Sequence, residues 1–500
     1  MKQSQRIAKN LSVGGLTIAV AGILQSATFI VIARFVSVSD YGAFNFMFSF
    51  GMILERFADS GLNSILMRDM AVDRDRIGEL LGAAMTLALP YIAIACLVMA
   101  GVIPFFHFDH RLAVLTATMG IARLVHVFIG YYSAVLLSQE NWELHGICFV
   151  LHKVLLFGFV LGALLLGTGL GGAVVAHFLA IVPPLLLMHW IVSRRYARPH
   201  LRFDLKLWKY LVREAIPVGG AGVVRLVAEP ADIFVATAVA GTMAAGFFSG
   251  PSRLASGLRY LPGLVINALF PLYSRTAAAS GPRTEFAEAY ERGVKWFAFV
   301  GMVMALPFLL CPAAITTGLL GAKYAPAIPA TRIISITVWL IFASGPYFLL
   351  LTALGRQRFL FISTTAALIL RIVFDYILTR KYGFLGPCIG MNLSDGLLLV
   401  AWVACMWQEG FPLKIFAVLW RPCVAAVPVG ALLHLLAANS LLLLVLVFPP
   451  ALLLYVALLF VLGAFTESEI SQFKEAMRFW GPFVAQWTRR EEPEMERRAS

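Results

Sequence analysis

Charged residues are scarce along this chain. Asp, Glu, Lys and Arg make up 13% of its 500 residues, whereas 60% of the residues are hydrophobic. An ordinary soluble domain carries roughly twice this share of charged residues. The shortage of charge therefore excludes a soluble enzyme or a soluble binding module, and it indicates a protein that lies within a lipid bilayer.

Motifs for catalysis and cofactor binding are also missing. The sequence contains no P-loop, no HExxH motif and no GxGxxG after a strand, and no loop is long enough to build an active-site domain outside the membrane. The six cysteines fall within apolar runs and show no CxxC spacing. We therefore predict no enzymatic activity, no catalytic residue, no metal site and no cofactor, and we interpret the cysteines as small packing residues.

Long apolar runs recur from Leu11 to Phe465. Since a helix needs about 20 mostly apolar residues to cross a bilayer, the runs predict an all-α integral membrane protein with about 14 transmembrane helices. The predicted spans are 11–33, 42–66, 79–103, 112–137, 146–168, 172–193, 214–240, 247–273, 296–317, 333–354, 359–379, 387–407, 416–437 and 441–465.

Lys and Arg are distributed unevenly between alternate loops. Of the 40 basic residues, 26 fall in the termini and in one alternate set of loops, 6 fall in the opposite set, and 8 lie inside predicted spans. Cytoplasmic loops retain positive charge, so both termini are predicted to be cytoplasmic. The net charge of +13 then arises from basic loops at the cytoplasmic face, where they contact membrane lipids. It does not indicate a nucleic-acid partner.

Weak internal similarity indicates a duplication. Val13-Gly14-Gly15 recurs as Val218-Gly219-Gly220, and the Gly-rich segment 169–172 has a counterpart at 383–386. Because six spans separate the matching segments, the two halves are predicted to be six-helix lobes related by a parallel repeat. The predicted units are an N-terminal lobe (1–195), a cytoplasmic amphipathic linker (196–213), a C-terminal lobe (214–410), an extra helix pair (411–465), and a cytoplasmic tail that is amphipathic and then disordered (466–500).

Basic residues inside the spans are the main functional signal. A charge at mid-membrane costs about 2.5 to 3.5 kcal/mol, so these side chains are expected to face a polar cavity that suits an anion. We predict that the cavity binds a diphosphate through Arg56, Arg123, Lys153, Arg225, Arg253, Arg259 and Arg371. Arg225 and Arg371 each have an acid four residues further on the same helix face, Glu229 and Asp375, so a self-neutralised pair is the alternative to diphosphate binding for these two.

Acidic residues inside the spans are candidates for binding a coupling ion. Glu55 and Asp59 lie on one face of the second predicted span, where two close carboxylates would resist ionising together. Asp232 and Asp395 are further candidates. For each of these acids, pairing with a buried Arg is the structural alternative.

Several segments resemble the Wzx-type polysaccharide flippases of bacteria. They are residues 6–24, Phe35-Val36-Ser37-Val38-Ser39-Asp40-Tyr41-Gly42, Phe57-Ala58-Asp59-Ser60-Gly61-Leu62 leading into Arg68-Asp69, Leu269-Phe270-Pro271-Leu272-Tyr273-Ser274, and 383–386. The resemblance covers about residues 5–410 and is a diffuse pattern. Asp59 and Arg68 are the positions whose neighbours match the family.

The resemblance implies two six-helix bundles around a cationic cavity in the bacterial inner membrane. It also implies transfer of an undecaprenyl-pyrophosphate-linked oligosaccharide to the periplasmic leaflet by alternating access, with polysaccharide polymerases as partners. A lipid II flippase of peptidoglycan synthesis and a drug or cation antiporter of the same superfamily remain alternatives. We expect Arg123→Ala and Arg253→Ala to impair transport more than Arg371→Ala, because Arg371 has an acid nearby in sequence.

Overall fold

The computed structural model describes residues 3–201, 203–258, 283–412 and 415–466, with side chains described from residue 13 onward except at 216–229, 283–285, 415 and 417. The described elements are helices. They are α1 (Gln3–Phe35), α2 (Val38–Asp59), α3 (Leu62–Val72), α4 (Ile77–Val102), α5 (His110–Ser138), α6 (Trp142–Leu165), α7 (Gly169–Arg195), α8 (Leu205–Gly257), α9 (Arg283–Leu310), α10 (Ile328–Ala353), α11 (Gln357–Tyr382), α12 (Leu385–Gln408), α13 (Ile415–Ala437) and α14 (Leu441–Val461). Short helical turns follow α4 at Ile103–Phe106 and precede α10 at Pro312–Ile315, Thr316–Leu320 and Ala322–Ala327.

Helix starts are fixed by side chains that accept hydrogen bonds from free backbone amides. Ser37 caps α2 through Asp40 N, Asp109 caps α5 through Leu112 N, and Asn141 caps α6. Such caps satisfy amide groups that have no partner within the helix. Inside the bilayer the helices satisfy the remaining backbone groups themselves, and this is why apolar runs of this length fold as helices.

Twelve helices in the described part of the chain are long and apolar enough to cross a membrane. They confirm the predicted all-α membrane fold, although the number 14 was approximate. The second predicted span, 42–66, was placed too far along the chain. The helix runs from Val38 to Asp59 and ends where Ser60 and Gly61 take left-handed conformations with φ of 46° and 87°.

The seventh and eighth predicted spans are joined more closely than expected. A loop over 241–246 was predicted, but helical geometry in α8 is interrupted only at Gly241 among its described torsions, with φ of 81° and ψ of 175°. Glycine tolerates this positive φ because it has no Cβ. The chain therefore turns back into the bundle within one residue, and the second arm of α8 begins at Thr242.

Helix packing repeats between the two halves. In the first half, α1 packs on α6, α6 on α7, α5 on α7, α4 on α5, and α2 on α5. In the second half, the first arm of α8 takes the place of α1 and its second arm takes the place of α2. The matching contacts are those of α8 with α11, α11 with α12, α10 with α12, α9 with α10, and α8 with α10. This order agrees with two lobes related by a parallel repeat, while the exact lobe boundaries stay predictions.

The extra helix pair packs on α9. Lys295 Nζ donates to Ala464 O at 3.1 Å and the Tyr455 hydroxyl donates to Phe299 O at 3.2 Å. The predicted amphipathic and disordered tail beyond residue 466 lies outside the described residues.

The lobes touch at the end of the bundle that contains the turn between α1 and α2, here called the distal end. The Ser39 and Thr242 hydroxyls lie 2.7 Å apart, and a Cβ on Gly42 or Gly246 would overlap a carbonyl oxygen of the facing helix, Thr242 O or Val38 O. The opposite end, which contains the segment between α7 and α8, is the proximal end. There Arg68 of α3 donates to Glu214 of α8 at 3.0 Å.

Candidate functional site

Helix α2 lies between the lobes and carries polar side chains on two faces. It packs on α5 of the first lobe and on α8 of the second. Asn45 and Ser49 are one helical turn apart and face α8, whereas Glu55 faces α5. Residues four positions apart share one helix face, so a single helix presents polar groups to both lobes.

Arg123 on α5 forms an ion pair with Glu55. Its Nη2 lies 2.5 Å from Glu55 Oε2, and the other oxygen of this carboxylate lies 3.0 Å from His126 Nδ1. Both side chains of the Arg123–Glu55 pair are 14% exposed. The acid that pairs with Arg123 therefore comes from another helix. Residue spacing along α5 alone could not reveal this partner.

Arg253 on the second arm of α8 reaches across to α2. Its Nε donates to Asn45 Oδ1 at 2.8 Å and its Nη2 donates to Ser49 Oγ at 3.1 Å. The guanidinium also lies 4.8 Å from the Phe29 ring centre and 5.5 Å from the Phe48 ring centre. Neutral side chains of α2 and two aromatic faces, which attract cations, thus contact the Arg253 guanidinium.

Phe48 joins the two arginines. The Arg123 guanidinium lies 5.0 Å from the centre of the Phe48 ring, which Arg253 also contacts. One guanidinium comes from the first lobe and the other from the second. The two guanidinium groups thus approach each other across the contact between the lobes.

Lys153 on α6 is the third buried cation of this region. Its Nζ donates to Gln25 Oε1 at 2.9 Å and lies 5.6 Å from the Phe149 ring centre. The neighbouring His152 is buried, and its ring centre lies 5.1 Å from that of His126. We call Arg123, Lys153 and Arg253 the basic cluster.

The structure places Arg371 in a different environment. Arg371 on α11 forms two hydrogen bonds of 2.6 Å to the carboxylate of Asp232 on α8 and a third contact of 3.4 Å to Asp395 on α12. Arg371 is therefore paired with acids, as the alternative to diphosphate binding had it, but they are Asp232 and Asp395 of other helices and not Asp375. Asp375 is fully buried on the same helix and is packed against Gly390, where a Cβ would overlap its carboxylate.

The other predicted site residues are dispersed. Arg56 is exposed on α2, and Asp59 accepts a hydrogen bond of 3.2 Å from the backbone amide of Asn63, so it caps the start of α3. The side chains of Arg225 and Glu229, and all of Arg259, lie outside the described residues. The basic cluster thus contains Arg123, Lys153 and Arg253 from the predicted set.

Sequence reasoning missed the residues that hold the basic cluster. Asn45, Ser49 and Gln25 bind two of its cations, and Phe48 joins two of its members. A signal was present: Asn45 and Ser49 are polar residues four positions apart in a stretch rich in Phe. On a helix inside a membrane such a polar pair requires a partner.

The sequence of this helix bundle matches a known protein family. Residues 7–277, more than half of the chain, match the model of a family described as "Polysaccharide biosynthesis protein". The chain belongs to this family. The comparison with curated proteins gave no match.

Solved structures of low sequence identity share the fold. The lipid II flippase MurJ in an inward closed conformation gives a TM-score of 0.71 at 12% identity, covering 94% of this chain and 99% of MurJ. An inward-facing multidrug resistance transporter of the MATE family gives 0.61 at 17% identity, covering 79% of this chain and 97% of that one. A transporter of the MOP superfamily from Pyrococcus furiosus gives a TM-score of 0.55 at 18% identity, covering 82% of this chain and 98% of that transporter.

The fold of this polysaccharide biosynthesis protein is therefore that of MOP superfamily transporters. The family and the membrane-spanning helices together identify a multi-pass membrane protein of polysaccharide biosynthesis.

Proposed function

We propose that the protein transfers an undecaprenyl-pyrophosphate-linked oligosaccharide from the cytoplasmic to the periplasmic leaflet of a bacterial inner membrane. The observation that supports this most directly is the pair of guanidinium groups on Phe48, one from each lobe. A diphosphate has the charge and the oxygen geometry to bind two guanidinium groups at once. The excess of basic residues in the loops of the proximal end supports a cytoplasmic location for both termini.

Lobe movement would change the state of the basic cluster. Arg253 belongs to α8, whereas its hydrogen-bond acceptors Asn45 and Ser49 belong to α2. In the present state, with the distal end closed, these groups hold Arg253 against α2. When the lobes move apart at the distal end, these hydrogen bonds must break. The Arg253 guanidinium is then more available to the cargo in the open state than in the closed state. Such a difference in affinity between states is what allows a ligand to drive a conformational change.

Glu55 is the coupling residue that this geometry favours. Its carboxylate occupies Arg123 and also contacts His126. A diphosphate that binds Arg123 displaces Glu55, and a displaced carboxylate in a poorly solvated site takes up a proton. Cargo binding and proton binding would thereby be linked. Asp232 and Asp395 neutralise Arg371 instead, and Asp59 caps a helix, so these acids have structural roles in the present state.

The sign of the basic cluster argues against an organic cation as cargo. Arg123, Lys153 and Arg253 lie together in this region, and Glu55 pairs with Arg123. A positively charged drug would be repelled from this region.

Deletion of the gene and complementation test the proposal. Deletion should abolish a surface polysaccharide and leave its lipid-linked precursor on the inner leaflet, and the wild-type gene should restore it. Arg253→Gln should restore it about tenfold less well or worse, because charge-assisted hydrogen bonds to phosphate are lost. Arg332→Gln, at an exposed distal position, is the matched control and should restore it fully.

Unchanged surface polysaccharide in the deletion strain would refute the proposal. Arrest of cell-wall growth with intact surface polysaccharide would instead identify a lipid II flippase. Polysaccharide polymerase partners can be sought in the same strains by copurification with the wild-type protein, where no enrichment of a polymerase would argue against that association.

A further inference from the structure

A cavity that none of the basic-cluster residues lines lies at the distal end of the bundle. Its volume is about 730 Å³, and its wall is formed by the last turn of α11, by residues 234–240 of α8, and by Phe106 after α4. Phe106 belongs to the first lobe and α11 to the second. The cavity therefore lies between the lobes, where α11 reaches the end of the bundle.

One cation lines this cavity. Arg380 is exposed, and its guanidinium lies 4.4 Å from the ring centre of Tyr376, which also lines the wall. Within the described part of the chain, no carboxylate lies within 4 Å of Arg380. The loops of the distal end contain 6 basic residues, whereas the termini and the loops of the proximal end contain 26. Arg380 is therefore not part of the excess of positive charge at the proximal end.

A buried hydroxyl in the same wall has no acceptor. Thr379 is 2% exposed, lines the cavity, and its Oγ1 has no hydrogen-bond partner among the described residues. Other helical threonines of this chain donate to the carbonyl four residues earlier, as Thr237 does to Ile233 O at 2.7 Å and Thr365 to Phe361 O at 2.8 Å. Burying such a donor without an acceptor is unfavourable, which points to a ligand that accepts its proton.

The backbone around Thr379 is held rigidly. A Cβ on Gly386 would overlap the backbone nitrogen of Thr379, so the start of α12 packs directly on the last turn of α11. Gly383, at the end of α11, has a φ of 58° and allows the sharp turn between the two helices. The unpaired hydroxyl and the guanidinium thus stand at consecutive positions of a fixed helix end.

The rest of the wall is apolar. Phe106, Phe234 and Ala238 line the cavity together with Arg380, and large apolar side chains such as Ile372 and Ile377 are exposed on α11. The volume is within the range of small-molecule sites and exceeds what one phosphate group fills. A ligand with a phosphate at one end and a hydrocarbon chain at the other could contact Arg380 and Thr379 with its phosphate and the apolar residues of the wall with its chain.

We propose that this distal cavity binds the phosphate group of a lipid, with Arg380 and Thr379 as donors and the Phe106 and Phe234 side as the contact for its chain. This goes beyond the transfer function, because a lipid phosphate would bind here whether or not the protein carries it. The phosphate can come from the diphosphate of an undecaprenyl-linked cargo or from a resident anionic phospholipid, and the two sources are separable by experiment.

Photolabelling of the full-length protein in nanodiscs of zwitterionic lipid tests the site. Three probes carry a diazirine close to the head group: undecaprenyl diphosphate, undecaprenol and phosphatidylglycerol. Labelled peptides are mapped by mass spectrometry to 234–240 and 376–383. We expect labelling of these segments by at least one phosphate-bearing probe, and about tenfold less labelling in Arg380→Gln.

Matched variants separate binding from folding. Lys381→Gln removes the neighbouring cation, which stacks on Tyr382 outside this wall, and should label like the wild type. Arg380→Lys should retain part of the labelling, Thr379→Val should weaken it, and all variants should keep the wild-type melting temperature.

The labelling pattern decides both the site and its source. Labelling by undecaprenyl diphosphate alone would support a cargo site, and labelling by phosphatidylglycerol alone would support a resident phospholipid. Equal labelling by undecaprenol, no labelling of these segments by any probe, or labelling that is unchanged in Arg380→Gln would overturn the proposal. None of these results depends on whether deletion of the gene abolishes a polysaccharide, so failure here is distinguishable from failure of the proposed function.

Discussion

At the scale of single residues, the cations inside this membrane protein fall into two groups that sequence spacing could not separate. Arg371 is held by two carboxylates from other helices, and Asp232, its main partner, lies 139 positions away in sequence. Arg253 donates hydrogen bonds to neutral side chains of α2, of which Asn45 lies 208 positions away in sequence. The presence of basic residues in the spans was predictable from composition. Their partners were not, because they come from helices brought together only by the tertiary fold.

This difference reverses the expectation for Arg371→Ala. Removing Arg371 leaves Asp232, Asp375 and Asp395 close together without their cation, and breaking a buried ion pair costs about 3–5 kcal/mol. We expect Arg371→Ala to lower the melting temperature and the yield of folded protein, so its transport would suffer through folding. Melting in detergent, followed by size-exclusion chromatography, measures this effect.

The double variant Arg371→Ala/Asp232→Asn supplies the control for Arg371. Replacing one carboxylate by an amide removes part of the uncompensated charge, so the double variant should be more stable than Arg371→Ala alone. A double variant that is less stable than the single one would show that the carboxylates are not the cause.

At the scale of elements, close contact between α2 and α8 controls the distal end. Gly42 and Gly246 let the two backbones meet, as a Cβ at either position would overlap a carbonyl oxygen of the other helix. In membranes, small residues at helix crossings allow this approach and favour van der Waals packing. The sequence showed glycines at these positions, but it gave no reason to place the two in contact.

Gly42→Ala is expected to weaken the closed distal end. The added methyl group pushes α2 and α8 apart, whereas Gly158→Ala places a methyl group where no atom lies within 4 Å. Spin labels at Arg111 and Arg332, exposed positions on α5 and α10, would report the separation of the lobes at this end by pulsed electron resonance. We expect longer distances in Gly42→Ala and the wild-type distribution in Gly158→Ala. An unchanged distribution in both variants would contradict a role for this contact in closing the bundle.

At the scale of the whole molecule, composition and the long apolar runs were sufficient to predict the membrane fold, and the weak repeat indicated two lobes. The repeated order of helix contacts agrees with that prediction. The sequence could not predict which end is closed, because closure depends on contacts between lobes. Arg34 shows this: it was counted only as a loop cation, but its Nε donates to Leu319 O at 2.8 Å, and Lys323 donates back to Arg34 O at 2.9 Å.

These distal contacts hold the two lobes together at one end, and a covalent lock tests whether that end must open for the proposed transfer. The Ser39 and Thr242 hydroxyls are 2.7 Å apart, so cysteines at both positions are within reach of a disulfide. In a background with the six native cysteines replaced, oxidised Ser39→Cys/Thr242→Cys should lose transport, and reduction should restore it. Each single cysteine variant should transport with or without oxidant. If the locked protein still transports its cargo, the lobes need not separate at this end, and the opening that frees Arg253 from α2 would have to occur by another route.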